Sequence, residues 1–294
     1  MYYGPVEDNN IVYSVDKIRL KTYISYSLFT DVEFRFDTCW SEYVERKWTS
    51  GRAFNFFYNY SIKVDDDVSF YFGFLHNTEK RELNDNLKYN LTVEFNPNKI
   101  QDNKILLYIL DLSGEWYIKR LDMACDLKVN ILDIIYDKGL KRSVMTISNG
   151  FDDKTYRIGK GNGHVKIYNK KRESNLDIDY DLTRVEITME YEDFLISNMI
   201  VYKFDKTVFP ELYLQKYCYS FSDYKDKTML AIMYAVQNGF PINELSRAYK
   251  TKLKNMLERG HKIKFSHAAA TQAVKRIIFG YFNMRGRKNF VHFR

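Results

Sequence analysis

Four segments of this chain alternate between apolar and polar residues with a period of two, and that pattern limits the fold more than any other feature. In YIKRLDMACD (117–126), Leu121, Met123 and Cys125 fall on one face, opposite Arg120, Asp122, Ala124 and Asp126. In LTVEF (91–95), Val93 and Phe95 oppose Thr92, Glu94 and the following Asn96. In TRVEITME (183–190), Val185, Ile187 and Met189 oppose Arg184, Glu186, Thr188 and Glu190. In HVKIYNK (164–170), Val165 and Ile167 oppose His164, Lys166, Tyr168 and Lys170. Each segment is therefore expected to be a strand with one face covered and one face polar.

The flanking sequence extends the set. IVYSVDKIRL, AFNFFYNYSIKV and VSFYFGFL are rich in β-branched and aromatic residues and read as strands, as do SVMTIS and KTYRIG. GKGNG (159–163) reads as a tight hairpin turn, and Pro97 is expected to end the strand before it. Helices are expected over 98–112 and over NILDIIYDKGL, ending near Gly139. Beyond about residue 190 the spacing of apolar residues shifts to three and four, which predicts helices over 227–239, 242–258 and 267–282. Strands followed by helices predict an α+β fold with a mostly antiparallel sheet. A strand-rich core over 1–190 is expected to precede a helical, basic region over 191–294.

The polar faces carry the candidate chemistry. If the strands share a sheet, Glu94, Asp122, Asp126 and Glu186 could converge. Carboxylates without His or Cys would suit a hard cation such as Mg²⁺ or Mn²⁺, and a cation would offset their mutual repulsion. The alternative is a solvated polar face. Tyr168 has two readings as well. A tyrosine in a strand is ordinarily packing, and a phenol with a reference pKa of about 10 is a poor nucleophile at neutral pH. Lys166 and Lys170 on the same face would favour the phenolate and turn it into one.

Charge points to a polyanionic partner. The chain has 294 residues and a formal net charge of +7. Base is densest in the C-terminal third, at Lys250, Lys252, Lys254, Arg285, Arg287 and Lys288 among others. Aromatic residues make up 17%, enough for some to lie at the surface and stack on unpaired bases. Cys39, Cys125 and Cys218 lie far apart without metal-site spacing, which fits a reducing cytoplasm. MYYGPVEDNN lacks the pattern of a signal peptide, and no apolar run is long enough to span a membrane.

Four motifs together resemble a known family. VEFNPNK (93–99), RLDMACD (120–126), VKIYNKKRE (165–173) and TRVEIT (183–188) come in the order and spacing of the rolling-circle replication initiators of small staphylococcal-type plasmids, the Rep_trans family. The similarity spans roughly residues 90–195. It implies a twisted sheet with helices on one face, a homodimer, and nicking and religation through a 5′-phosphotyrosine. It places the nucleophile on Tyr168, the metal ligands on Glu94, Asp122 and Glu186, and matches Asp126 to a further motif aspartate. Lys170 and Lys171 match the family's basic pair, and Lys166 joins them as a DNA contact. The partners implied are double-stranded origin DNA with a hairpin, single-stranded DNA and a host helicase. Lys250, Lys254, Arg285, Arg287 and Lys288 are expected to bind the duplex. The GKGNG hairpin and Cys125 depart from the family pattern. A mobile-element relaxase and a non-catalytic DNA-binding regulator stay open as alternatives.

Overall fold

The computed structural model describes residues 5–47, 58–64, 69–76, 88–100, 103–137, 144–148, 154–214, 226–237, 240, 242–259 and 261–283. The N-terminal strands are β1 (Val6–Asp8), β2 (Ile11–Ser25), β3 (Val44–Lys47), β4 (Tyr58–Lys63), β5 (Ser69–His76) and β6 (Lys88–Phe95). The next are β7 (Tyr117–Leu127), β8 (Ile134–Asp137), β9 (Val144–Ser148), β10 (Lys154–Ile158), β11 (Val165–Asn169) and β12 (Thr183–Leu195). The last two are β13 (Glu211–Leu214) and β14 (His261–Lys262). Helices are α1 (Tyr26–Thr38), α2 (Lys104–Asp111), α3 (Lys170–Glu173), α4 (Lys227–Gln237), α5 (Arg247–Arg259) and α6 (His267–Asn283).

Among the described residues, eleven strands form one antiparallel sheet in the order β3-β4-β5-β6-β2-β7-β12-β11-β10-β9, with β1 paired to β2. A small second sheet runs β14-β13-β8. The four alternating segments become β6, β7, β12 and β11, and β2 joins β6 to β7. Their apolar sides are dry: Val93, Leu121, Met123, Cys125, Val185, Ile187, Val165 and Ile167 are fully buried. Helix α6 covers that face with paired buried residues a turn apart, Ala269–Ala270, Ala273–Val274, Ile277–Ile278 and Tyr281–Phe282. Truncating Leu121 or Ile277 here to alanine is expected to cost about 2–5 kcal/mol. Helix α2 adds Ile105, Leu106, Ile109 and Leu110 to the same core.

The structure departs from the expected elements in two places. NILDIIYDKGL is not helical: Ile131–Asp133 is one 3-10 turn, capped by the Asn130 side chain, and Ile134–Asp137 is strand β8. Its apolar spacing suits either state, and pairing with β13 decides it for Ile- and Tyr-rich sequence; residues 138–140 lie outside the described set. The helix expected over 98–112 starts only at Lys104, where Asn103 accepts from the amides of Ile105 and Leu106 at 3.0 Å. The helices of the C-terminal third pack into two hydrophobic clusters. Helix α6 belongs to the main core, whereas Met229, Met233 and Val236 of α4 and Leu253 of α5 share a separate small cluster with Ile242 and Tyr213. The strand expected over 53–64 is described only from Tyr58 onward.

Candidate active site

The polar face of the central strands is ordered by strand register. Tyr168 on β11 faces Arg184 on β12, which faces Asp126 on β7. One step along, Lys166 faces Glu186, which faces Ala124; two further residues along β12, Thr188 faces Asp122. Of these rows, Tyr168, Lys166, Glu186, Thr188 and Asp122 line a cleft of about 970 Å³, and Arg184, Asp126 and Ala124 are not among its lining residues. Ala124 leaves room between the longer side chains, and it is fully buried although it lies on the polar side.

Strand β2 contributes a residue that simple alternation misplaces. Its pairing with β7 slips between Val15 and Lys17, so Asp16 is an extra residue and both Asp16 and Lys17 line the cleft. The signal is present in the sequence. Buried apolar positions run 11, 13, 15 and then 18, 20 and 24, a change of phase between Val15 and Ile18 that marks a bulge.

The floor is a set of paired charges. Arg184 is bidentate to Asp126 at 2.6 and 2.7 Å and reaches Asp16 at 2.9 Å. Burial opposes the charge on Arg184, but its carboxylate partners outweigh that and hold the guanidinium above its usual pKa. Arg120 binds Asp122 through two bonds of 2.9 Å, and Thr188 donates to the same carboxylate at 2.8 Å. Glu94 is held by Arg19 at 2.6 Å and Lys17 at 3.4 Å. Lys170 pairs with Glu173 at 2.7 Å.

Tyr168 is 3% exposed and donates a hydrogen bond to Glu186. Burial first, then the charge of Glu186 and the bond to it, raises the phenol well above its usual pKa. Burial also raises Glu186, against the opposing effects of the Tyr168 bond and Lys166. Lys166 lies over the ring face, 3.9 Å from its centre, and 3.9 Å from Glu186; Lys170 is 5.8 Å from the ring centre. The expectation that the flanking lysines favour a phenolate is therefore corrected: with the cleft at rest, burial and Glu186 keep the proton on the phenol.

Tyr168, Lys166, Lys170, Asp122 and Glu186 all line the cleft. Glu94, Asp126 and Lys171 are not among its lining residues. Glu94 touches it through Lys17, and both Asp126 oxygens are taken by Arg184. The donors are all oxygen, which suits a hard cation. No three of the acids gather as a ligand group among the described residues. Lys250 and Lys254 belong to α5, and Lys250 is not among the residues that line the cleft. Arg285, Arg287 and Lys288 lie outside the described residues. Asp16, Lys99, Arg157 and Lys160 also line the cleft, Arg184 is tied to it through Asp16, and sequence reasoning does not single them out. Among the described residues, no helix is long and apolar enough to cross a membrane.

The chain is similar to known replication initiation proteins. One from Staphylococcus aureus is 29% identical over 181 residues, covering 58% of this chain and 54% of that protein. A second from the same species is 32% identical over 112 residues, covering 34% of this chain and 36% of its own length. The chain thus spans about half the length of the first relative. No family model matches. Among solved structures, the rolling circle replication initiator protein from Geobacillus stearothermophilus aligns over 84% of this chain and 97% of that one, with 14% identity and a TM-score of 0.38.

Proposed function

We propose that this protein initiates rolling-circle replication by nicking and religating one strand at a plasmid origin, with Tyr168 as nucleophile. The observation that carries the reading is the Tyr168–Glu186 hydrogen bond on the floor of a cleft ringed by lysine and arginine. A buried phenol that already donates its hydrogen bond to a carboxylate has its general base in place. As the phenol oxygen attacks phosphorus, its proton passes to Glu186. The bond from phosphorus to the 3′ oxygen breaks, and that oxygen leaves as a hydroxyl after taking up a proton. The 5′ phosphate stays on Tyr168, so the phosphodiester energy is kept and the reverse attack by a 3′ hydroxyl reseals the strand without ATP.

Lys166 and Lys170 flank the tyrosine and would balance the charge of the phosphate under attack, with Lys171 adjacent. A divalent cation, Mg²⁺ or Mn²⁺, belongs to this proposal. Asp122 and Glu186, with Glu94 at the edge, would supply oxygen donors in exchange for their present basic partners, and the ion would draw charge from the phosphate. Asp126 serves instead as the anchor of Arg184. The basic C-terminal third, including Lys250, Lys254, Arg285, Arg287 and Lys288, would hold the duplex origin. A host helicase and a second copy of the chain complete the proposed assembly.

The test is incubation of the protein with supercoiled plasmid carrying its hairpin origin, with Mg²⁺ or Mn²⁺. The expected product is an open circle with protein attached to a 5′ end, lost on chelation. Unchanged supercoiled DNA would overturn the reading.

A further inference from the structure

Charge compensation stops at the rim of the cleft. Lys17, Arg120, Lys166 and Lys170 each pair with a carboxylate. Three other cations of the same cleft, Lys99, Arg157 and Lys160, are exposed and have no ion-pair partner among the described residues. They sit at opposite ends. Lys99 follows β6; Arg157 is the penultimate residue of β10 and Lys160 lies on the hairpin beyond it. From β6 across β2, β7, β12 and β11 to β10 is five strand spacings. At roughly 4.8 Å each that is about 24 Å, a span suited to an extended polymer.

Both ends are rigidly mounted. Asn162 exchanges two hydrogen bonds with the Glu190 backbone, at 3.0 and 3.1 Å, and the Gly163 amide donates to Thr188 at 2.7 Å. Gly159, Gly161 and Gly163 all have positive φ, which lets the hairpin curl over the cleft at no steric cost. At the other end, the Asn98 side chain donates to the Val15 carbonyl at 2.7 Å, and Tyr281 of α6 donates to the Ile100 carbonyl. Each rim cation therefore projects from fixed backbone.

We propose that Lys99 and the Arg157–Lys160 lip grip backbone phosphates on opposite sides of the scissile one, so that a single DNA strand crosses the sheet over Tyr168. This rests on the nicking reading above. A strand laid along this line would meet positive charge at its two ends and a neutralised, chemically equipped floor between them. Its phosphates would satisfy the rim charges. Asn162 and the glycines set where the lip sits, and Lys160 supplies the contact.

The experiment uses full-length Tyr168→Phe protein and a short single-stranded oligonucleotide centred on the nick mapped with wild-type enzyme. Lys99→Gln and Lys160→Gln should each weaken binding several-fold at low salt. Each should flatten the dependence of log K on log salt by about 0.7, the amount for one phosphate contact on a single strand. Replacing individual phosphates by neutral methylphosphonates then locates each contact. Neutralising a phosphate on one side of the nick should cost nothing further in Lys99→Gln, and one on the other side should cost nothing further in Lys160→Gln. Unchanged salt slopes, or both variants becoming blind to the same side, would overturn the proposal. If wild-type protein forms no covalent product at any origin, the nicking reading itself fails; covalent product with unchanged slopes sinks the two-sided grip alone.

Discussion

The floor of the cleft and its rim are built from the same residue types and differ in compensation. On the floor, Arg120 is locked to Asp122 and Tyr168 to Glu186, and Arg184 ties the lining Asp16 to Asp126. At the rim, Lys99, Arg157 and Lys160 face solvent without ion partners among the described residues. Paired charges fix geometry and exert little net attraction at a distance; unpaired ones attract but do not orient. Under the proposed function, chemistry and strand capture would be separable within one surface. Floor substitutions should change the rate of the covalent step, and rim substitutions should change affinity and its salt dependence.

The largest effect is expected at Tyr168. Tyr168→Phe should lower covalent attachment by ~10³-fold or more, as loss of a nucleophile does, with oligonucleotide affinity nearly unchanged because the ring still packs. Filter binding and adduct gels read the two quantities separately; a comparable loss in both would break the division between floor and rim. Glu186→Gln comes next. Without the proton acceptor, single-turnover cleavage should fall by ~10²- to 10⁴-fold, again at near-constant affinity.

Asp126→Ala addresses the buried pairs. It leaves Arg184, 9% exposed, without its bidentate partner, and should destabilise the fold by about 3–5 kcal/mol, measured by urea unfolding. A change below about 1 kcal/mol would mean that Arg184 is held mainly by Asp16. Asp122→Asn and Glu94→Gln should each weaken Mn²⁺ binding in calorimetry, with cleavage partly restored at high Mn²⁺. Affinity unchanged in both variants would remove the proposed cation from these residues. The smallest effect is on duplex binding. Replacing Arg285, Arg287 and Lys288 together by Gln should reduce the salt slope by up to about 0.9 for each phosphate no longer neutralised, and cleavage of a single-stranded oligonucleotide should survive.

Much of the site is legible in the sequence. Alternation alone sorts Glu94, Asp122, Glu186, Lys166 and Tyr168 onto polar faces, because a period of two leaves no other choice once one face is buried. What alternation cannot supply is which opposite charges meet across strands, since that depends on register. Arg184 falls on the polar face by its position, yet its role as the hub between Asp126 and Asp16 emerges only when β2, β7, β11 and β12 are aligned. Asp16 escapes because the bulge after Val15 breaks the count, although the phase change in the apolar positions announces it. NILDIIYD reads as a helix because its partner strand, β13, lies about 75 residues further along the chain. The pKa direction of Tyr168 is hidden for a similar reason: the neighbouring lysines are visible in sequence, whereas burial and Glu186 are not.

The proposed mechanism puts the covalent bond to DNA on Tyr168. Its most direct test is trapping the adduct on an origin oligonucleotide, digesting protein and DNA, and locating the modified peptide by mass spectrometry. The expected result is a nucleotide joined through its 5′ phosphate to Tyr168 in the peptide that contains VKIYNK, and no adduct in Tyr168→Phe. A nucleotide on any other tyrosine, Tyr156 included, or an adduct that persists in Tyr168→Phe would contradict it.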